Sequence, residues 1–427
     1  MGDATERLPA EADVVVIGSG AFGSCTAYHL AVAGAGRVML LDRGELGSGS
    51  SPRAAGLFKM VQADELLTRL SHRSAAIVRG FEATTGIPLP VTRSGSLLAA
   101  RTSAHADLIR AELAQSRVWG VEAEEIDAAT ARRAVPWLDP GAFQVAVHVH
   151  GDMFIEEPPD LLQAVQRAAR DKGVATLANT TATALRVTDG RVVGVATDRG
   201  EITCPVVVDA AGAWAKSVVA STGGRVMAAT IRHQLAISEP TSGVDAGHPI
   251  VRIIDASAYV RPHKGGFLFG GFEPDPTPLE PPVADPAWSI ATMPLDARVP
   301  IQMGRRIAAQ IPALANPTVL ETRGGLFTMT PDARFLAGPS PDVAGLWLNT
   351  GCNGSGYSFA PAIGEALAAW ITTGSPTVDM SPLSPERFRD HDYSDRRLIE
   401  LGVFQYENYY SPPDVAARLG GAALTRS

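Results

Sequence analysis

The sequence predicts an α/β fold of two domains, one of them built on a Rossmann unit. Two local patterns support this: a β-branched run at 14–17 leads directly into a G-x-G-x-x-G motif at 18–23, and a second apolar strand ends on Asp42. Strand-rich segments then separate this unit from later elements of the same type. With 427 residues, the chain also exceeds one average domain.

The glycine motif has the spacing of a dinucleotide-binding fingerprint. Gly18 allows a tight turn, Gly20 lets the backbone approach a pyrophosphate, and Gly23 lets the next helix pack on the strand. The N-terminus of that helix directs unpaired N–H groups at the phosphates. Asp42 follows Gly23 by 19 residues, close to the roughly 20 expected for the acid that accepts ribose hydroxyls. The segment therefore predicts binding of the ADP half of a dinucleotide.

Composition favours a small-molecule partner. The net charge is −8 and the basic residues are scattered, which argues against a nucleic acid or an anionic membrane surface. We expect no membrane span, because no apolar run approaches about 20 residues, and no secretory signal, because glycines interrupt the first apolar run. Cys25, Cys204 and Cys352 fit neither a disulfide framework nor a metal cluster, so we expect a cytoplasmic protein.

Hydrophobic periodicity predicts the other elements in order. Helices are expected at 63–83, 101–120, 158–173, 298–311 and 360–374, and strands at 92–101, 143–150, 345–351 and the start of 206–216. The Asp189-Gly190 pair predicts a hairpin. Pro361 fits a first helical turn, so we expect the last helix to begin just after Phe359.

The domains are predicted to be discontinuous, because two strand-rich inserts separate the nucleotide-type elements. We assign 10–85, 150–220 and 325–375 to the cofactor domain, 86–149 and 221–324 to the substrate domain, and 376–427 to a C-terminal tail. A cofactor gripped by several distant segments is held permanently, which suits a flavin better than an exchangeable nicotinamide.

Five segments together carry a family resemblance. They are the fingerprint, GSGSSPRAAGL at 47–57, VVVDAAGAW at 206–214, T-P-D at 330–332 and G-x-N-G-S-G-Y-S-F-A-P-A-x-G at 351–364. The chain resembles the D-amino-acid oxidase (DAO) superfamily of FAD-dependent oxidoreductases over residues 12–375. Within it, the chain is most similar to the flavin domain of sarcosine and dimethylglycine oxidases or dehydrogenases.

The resemblance implies a glutathione-reductase-like FAD-binding Rossmann domain beside a substrate domain with a mixed, mostly antiparallel sheet. It also implies oxidation of a C–N bond by hydride transfer to flavin N5, followed by hydrolysis of the imine. The residues expected to bind FAD are Gly18, Gly20, Ala21, Phe22, Gly23, Asp42, Arg43, Ser50, Ser51, Arg53, Ala54, Ala55, Gly56, Leu57, Ala182, Ala211, Gly212, Trp214, Asn353, Gly354, Ser355, Gly356, Tyr357 and Ser358. The N–H groups at 354–358 and the last helix can stabilise negative charge on reduced flavin.

Five residues are candidates for the substrate side. His233 and Tyr259 match a His and a Tyr near the flavin in the dimethylglycine-oxidising relatives, and either could take a proton from an ammonium substrate. A structural histidine is the alternative for His233. Arg261 shares the strand face of Tyr259 and could bind a substrate carboxylate, or it could be a solvated strand arginine. Lys59 and Arg323 are further carboxylate candidates.

A His-x-His pair at 148–150, followed by Asp152, has the alternation that could present metal ligands on one strand face. No further ligand cluster in the sequence supports a metal, so we favour a structural pair and expect no metal site.

Two departures from the resembling enzymes concern the attachment of FAD. The dimethylglycine enzymes attach FAD through a histidine in W-H-A-A-G, and Arg53 stands at that position. The monomeric sarcosine oxidases use a cysteine at a position that here falls within 325–327. We therefore predict non-covalent FAD.

Other departures concern the acceptor and the substrate. Leu268 replaces the lysine that promotes reaction with oxygen in sarcosine oxidases, which leaves another electron acceptor open. Ser358 replaces their substrate-side lysine. Residues 376–427 resemble the connector to a folate-binding domain, and Tyr406, Tyr409 and Tyr410 are expected to pack on the body or on a partner.

The leading hypothesis is oxidation of a secondary or tertiary amine, an N-methyl or N-alkyl amino acid. One alternative keeps the flavin but assigns a D-amino acid or glycine. Another is a flavin subunit of a multi-subunit amine dehydrogenase. A homo-oligomer or an electron-accepting partner is compatible with each reading.

Overall fold

The computed structural model describes residues 8–283, 285 and 288–410. The part of the predicted tail beyond residue 410 lies outside the described residues, as do two positions of the proline-rich loop at 274–286 and the position that follows it. Among the described residues, no helix has both the length and the apolar character needed to cross a bilayer.

The strands follow the predicted order closely. They are β1 (Val14–Ile17), β2 (Val38–Leu41), β3 (Leu57–Phe58), β4 (Ser96–Ala100), β5 (Ala123–Glu125), β6 (Val145–Val149), β7 (Met153–Phe154), β8 (Ala175–Leu177), β9 (Ala182–Thr188), β10 (Arg191–Thr197), β11 (Gly200–Thr203), β12 (Val206–Asp209), β13 (Ala229–Ser238), β14 (Ile250–Ile253), β15 (Ala258–His263), β16 (Gly266–Gly271), β17 (Val319–Met329), β18 (Leu336–Pro339) and β19 (Leu346–Thr350).

The helices frame these strands. They are α1 (Ala21–Val32), α2 (Glu65–Arg79), α3 (Phe81–Thr85), α4 (Ser103–Val118), α5 (Ala128–Ala134), α6 (Pro159–Asp171), α7 (Ala215–Val219), α8 (Arg298–Arg306), α9 (Gly356–Thr373) and α10 (Asp395–Glu407). The helix predicted at 63–83 is split into α2 and α3 at Gly80, and the helix predicted at 298–311 ends at Arg306.

A six-stranded sheet carries the glycine motif. Its order is β18-β19-β12-β1-β2-β8, and every neighbouring pair is parallel except β18 with β19. The central strand β1 is buried along its whole length and pairs residue for residue with β12 and β2. A strand buried on both faces favours an unbroken β-branched run, which is the pattern that predicted it.

An eight-stranded sheet forms the second layer of the molecule. Its order is β17-β13-β16-β15-β14-β4-β6-β5, and only β14 with β4 is parallel. This mixed, mostly antiparallel sheet confirms the predicted fold class. The Asp189-Gly190 hairpin is also confirmed, because β9 and β10 pair antiparallel within a separate three-stranded sheet.

The start predicted for the last helix is wrong. Helix α9 begins at Gly356, and Pro361 lies inside it. The backbone N–H groups of Ser358 and Phe359 both donate to the carbonyl of Ser355, so the first turn is complete before the proline. Pro361 is the sixth residue of α9, so it supplies no N–H to the carbonyl of Tyr357 and its ring crowds that carbonyl, which makes it an unfavourable residue within the helix.

Helix α10 brings the end of the described chain back onto the eight-stranded sheet. Ser394 caps its N-terminus by accepting from the N–H of Arg397, and Asp395 occupies the first turn, where a negative charge is favourable. Tyr406 is fully buried against Ile231 and Met329. The tyrosines of this segment therefore pack on the body of the protein, one of the two predicted alternatives.

Candidate functional site

The fingerprint glycines are required by close backbone contacts. Gly18 has a φ of +98°, and a Cβ there would lie 2.5 Å from the carbonyl oxygen of Ala210 at the end of β12. A Cβ at Gly23 would lie 1.7 Å from the carbonyl oxygen of Gly18. At Gly20 a Cβ would meet only the Ser51 hydroxyl, at 3.1 Å, so the space beside the first turn of α1 is otherwise open.

Asp42 lies at the carboxyl end of β2, beside this turn. Its Oδ2 accepts from the backbone N–H of Ser19 at 2.8 Å, and its Oδ1 accepts from the N–H of Gly44 at 3.0 Å. Burial raises the pKa of Asp42, while these hydrogen bonds lower it. The carboxylate is thus fixed at the edge of the sheet where a ribose would lie.

Arg43, the residue after Asp42, contacts Trp214. The guanidinium of Arg43 lies 4.8 Å from the ring centroid of Trp214. The Trp214 indole nitrogen is buried without a hydrogen-bond partner among the described residues. Ala211 and Gly212 connect β12 to this tryptophan, and Ala182 and Ala211 pack against the apolar cluster beneath.

The segment at 47–57, which we call the small-residue loop, links the fingerprint to a cavity. Ser51 Oγ accepts from the N–H of Ala21 at 3.0 Å, at the start of α1. Ser50 Oγ accepts from the N–H of Leu326 at 3.0 Å, on β17 of the other sheet. One loop therefore contacts both sheets, as an extended cofactor spanning them requires.

The cavity lies between the small-residue loop, the start of α9 and one face of the eight-stranded sheet. The predicted cofactor residues that line it are Ser50, Ser51, Arg53, Ala54, Ala55, Gly56, Leu57, Gly354, Ser355, Gly356, Tyr357 and Ser358. Asn353 lies just outside, where it accepts from the N–H of Thr330 and donates to the carbonyl of Gly351. These two bonds fix the turn that precedes α9.

These features fit FAD. The open space at Gly20, the unpartnered Trp214 nitrogen and the continuous path through the small-residue loop are what a dinucleotide with a flat ring system needs. The structure brings the predicted binding residues from three distant segments to this path.

His233 and Tyr259 line the same cavity and are hydrogen-bonded to each other. His233 Nε2 lies 2.9 Å from the Tyr259 hydroxyl, and its Nδ1 lies 2.7 Å from the Tyr406 hydroxyl. The imidazole stacks on Phe327 at a centroid distance of 4.4 Å. Burial lowers the pKa of His233 to about 3 and raises that of Tyr259, so both groups are neutral at pH 7.

Arg252 is a cavity residue that sequence reasoning missed. It lies opposite Tyr259 in the β14–β15 ladder, so the two side chains share a face. Its Nη1 pairs with Asp152 and donates to Ser96 Oγ at 2.9 Å. Its Nη2 is buried and lies within 3.5 Å of no hydrogen-bond acceptor with suitable geometry among the described residues, although the Tyr410 hydroxyl interacts with the guanidinium. A guanidinium N–H without such an acceptor in a cavity is suited to a carboxylate.

Arg261 requires a correction, because the structure does not bring its guanidinium to the cavity. The side chain is fully buried and donates to the carbonyls of Ala55, Glu156 and Pro262 at 2.8 Å each. Its donors are therefore committed to the backbone, and it secures the small-residue loop. The solvated alternative is also wrong.

Lys59 and Arg323 both line the cavity. Lys59 Nζ lies 5.3 Å from the ring centroid of Tyr409. Arg323 is paired with Glu321, at 2.6 Å from Nε to Oε1. Both arginines are thus paired with a carboxylate, and Arg252 differs in having a buried Nη2 that makes no hydrogen bond among the described residues.

The structure shows the contacts of the three residues that differ from those of the similar enzymes. Arg53 donates to the carbonyls of Ser48 and Gly49, at 2.7 and 2.6 Å. Leu268 is buried in a cluster with Leu235 and Tyr259. Ser358 lines the cavity, and its hydroxyl donates to the Ser355 carbonyl at 3.0 Å.

His148 and His150 lie away from the cavity lining. With Glu124 on the neighbouring strand, they place three potential ligand atoms within 4.8 Å of one another. Asp152, the other residue of the sequence motif, instead pairs with Arg252. The absence of a metal site stays a prediction.

Comparisons with known proteins identify the family of the chain. A family model described as FAD dependent oxidoreductase (DAO) matches residues 13–370. Sarcosine dehydrogenase, mitochondrial, from Homo sapiens is 31% identical over 412 residues, covering 95% of this chain and 44% of the relative. The 4-methylaminobutanoate oxidase (formaldehyde-forming) of Paenarthrobacter nicotinovorans is 30% identical over 396 residues, covering 90% of this chain and 47% of the relative.

The chain thus spans less than half the length of these two relatives. Among solved structures, L-proline dehydrogenase from P. horikoshii superposes with a TM-score of 0.80 at 24% identity, covering 91% of this chain and 100% of that one. This likeness concerns the fold alone.

Proposed function

The chain belongs to the DAO family of FAD-dependent oxidoreductases, and we propose that it oxidises a C–N bond of a secondary or tertiary amine that carries a carboxylate. The substrate class is an N-methyl or N-alkyl amino acid. The observation that carries this proposal is the pairing, in one cavity, of the neutral His233–Tyr259 couple with the buried Nη2 of Arg252. The His233–Tyr259 couple would contact the amine of such a substrate, and Arg252 would bind its carboxylate.

When bound, FAD supplies a two-electron acceptor for the hydride of the substrate carbon. The residues proposed to hold it are those of the fingerprint, Asp42, the small-residue loop and the start of α9. We propose that the six-stranded sheet with its helices forms the FAD domain and the eight-stranded sheet the substrate domain. The predicted domain boundaries remain part of this proposal.

The protein's own groups prepare the substrate for oxidation. Arg252 fixes the carboxylate, which turns the amine toward Tyr259 on the adjacent strand. The burial that lowers the pKa of His233 also disfavours a charged ammonium in the cavity. The amine therefore loses a proton, and its nitrogen lone pair becomes available to assist the departure of hydride.

Anaerobic bleaching of the flavin by matched amines tests the proposal. We expect N-methyl amino acids to reduce it, and their carboxamides, D-amino acids and glycine to reduce it much more slowly. Bleaching by D-amino acids or glycine alone would support the primary-amine alternative. Failure of every amine with flavin-loaded protein would overturn the proposal.

The electron acceptor is tested with the reduced protein. The buried Leu268 in place of a lysine supports an acceptor other than oxygen. Slow reoxidation in air and fast reoxidation by a redox dye would support a dehydrogenase. Reoxidation only by an added partner protein would favour the multi-subunit alternative.

The cysteines bear on the location of the protein. We propose a reducing, cytoplasmic setting because the three cysteines are free thiols. A homo-oligomer or an electron-accepting partner stays compatible with the structure, and light scattering on the purified protein would measure its assembly state.

A further inference from the structure

Four buried side chains form a continuous hydrogen-bonded chain that leads away from the cavity. Tyr259 OH lies 2.9 Å from His233 Nε2, His233 Nδ1 lies 2.7 Å from Tyr406 OH, and Tyr406 OH lies 2.5 Å from Glu273 Oε2. Tyr259 and His233 line the cavity. Glu273, at the other end, is 9% exposed.

The carboxylate sets the direction of every bond in this chain. An ionised Glu273 can only accept, so the Tyr406 hydroxyl donates to it. Tyr406 then accepts from His233 Nδ1–H, which leaves Nε2 without a proton to accept from the Tyr259 hydroxyl. The lone pairs of the Tyr259 oxygen remain free to accept an N–H from a molecule in the cavity.

We propose that this chain carries the excess proton of a bound ammonium substrate to Glu273, so that Tyr406 and Glu273 are relay residues for the reaction. This rests on the proposed function. The substrate N–H bond breaks as its proton passes to Tyr259, which hands its own hydroxyl proton to His233 Nε2. Nδ1–H passes to Tyr406, and the Tyr406 proton forms the O–H bond of the Glu273 carboxylic acid. One ammonium and one carboxylate become a neutral amine and a neutral acid.

Burial of these side chains favours a proton transfer in which neither the histidine nor the tyrosines remain charged. Burial lowers the pKa of His233 to about 3 and raises the pKa values of Tyr259 and Tyr406, so imidazolium and phenolate are both disfavoured. Burial also raises the pKa of Glu273, which favours the protonated end state. Mutual neutralisation of two opposite charges suits a poorly solvated interior.

Other charged and titratable groups act on the two ends of the chain. They are Tyr409, Tyr410 and Arg261 at Tyr259, and Arg232 and Arg306 at Glu273. The two arginines at Glu273 favour its ionised form before the transfer.

The test compares Tyr406→Phe, Glu273→Gln and the double variant in FAD-loaded protein. We expect each single variant to slow anaerobic flavin reduction by about a hundredfold at pH 7, within the range for a lost proton-transfer group. Raising the pH above the pKa of the free ammonium should restore the rate, because the substrate then arrives neutral. The double variant should be no slower than the slower single variant, since both cut one chain.

A second measurement does not depend on turnover. In ¹⁵N-histidine-labelled protein, with His233 assigned from the spectrum of His233→Gln, we expect the Nδ1–H tautomer, and loss of this preference in Glu273→Gln. Tyr28→Phe, which removes a buried phenol whose ring packs on His29 and Phe81, should change neither readout.

Unchanged rates, a loss that high pH does not restore, or an Nε2–H tautomer in the parent protein would overturn the relay. If no amine reduces the flavin while the Nδ1–H tautomer is observed, the proposed function fails and the hydrogen-bond polarity stands.

Discussion

Gly270 and Tyr259 face each other across β16 and β15, and a Cβ added at Gly270 would lie 2.7 Å from the Tyr259 hydroxyl oxygen. Gly270 is also opposite Leu235 on β13, the strand that carries His233. The phenol of Tyr259 therefore reaches His233 by crossing over β16, and only a residue without a side chain leaves room for it.

Gly270→Ala should displace the Tyr259 hydroxyl from His233. Because a shift of about 1 Å in a reacting group can cost about a hundredfold in rate, we expect a loss of this order in anaerobic flavin reduction. FAD content should stay unchanged. Gly247→Ala, in an exposed loop, is the control, and an unaltered rate in Gly270→Ala would contradict the steric argument.

Arg252→Met should lower the free energy of unfolding, apart from any effect on substrate binding. Removing the guanidinium leaves the buried Asp152 carboxylate unpaired, which typically costs about 3–5 kcal/mol. Thermal or denaturant unfolding would measure this. Adding Asp152→Asn should recover much of the loss, because the amide oxygen can still accept from Met60 N–H.

The folded double variant, Arg252→Met with Asp152→Asn, isolates the role of Arg252 in binding. Losing a hydrogen bond to a charged group, about 1.5–3 kcal/mol, should weaken binding of carboxylate-bearing amines by about 10- to 100-fold. Binding of the matching carboxamides should change little. Equal weakening of both would show that Arg252 does not recognise the carboxylate.

FAD should leave the protein on acid precipitation. Arg53 cannot form the histidyl bond, and the Gly325–Phe327 region has no thiol. We expect a yellow supernatant and a colourless pellet. Cys352 lines the cavity, so Cys352→Ser is the matched control, and a yellow pellet that this variant abolishes would identify a cysteinyl bond.

Stability should decrease as the pH falls below the ordinary pKa of histidine. The pKa of His233 is about 3 in the folded protein, against an ordinary value of 6.5, so between these values the unfolded chain binds one more proton. This group then contributes a slope of at most about 1.4 kcal/mol per pH unit, with stability rising as the pH rises. Unfolding midpoints across this window should fall less steeply in His233→Gln, and identical slopes would contradict a buried neutral imidazole.

Features encoded by neighbouring residues were predictable from the sequence. The fingerprint, Asp42 and the hairpin at Asp189 depend on local spacing and turn chemistry, and the structure has each of them. Arg252 was missed because its partner Asp152 lies 100 residues away. Tyr406, 173 residues from His233, was predicted only to pack. Which of these side chains meet depends on strand register, which local patterns do not specify.

The error at Arg261 has a related origin. Strand alternation places Arg261 on the face of Tyr259, as predicted, but two residues further along the strand the neighbours are the carbonyls of Ala55 and Glu156. The face was predictable, and the position along the sheet was not.

Because Tyr406 belongs to α10, the ribosome makes it after every strand of both sheets. The last of the proposed cofactor-binding residues, at the start of α9, also precede α10 in the chain, and His233 receives its Nδ1 partner only when α10 docks. A nascent polypeptide thus acquires the means to hold its flavin before it can complete the proton route. Binding of the cofactor and completion of the hydrogen-bonded chain are therefore separate steps in the order of synthesis.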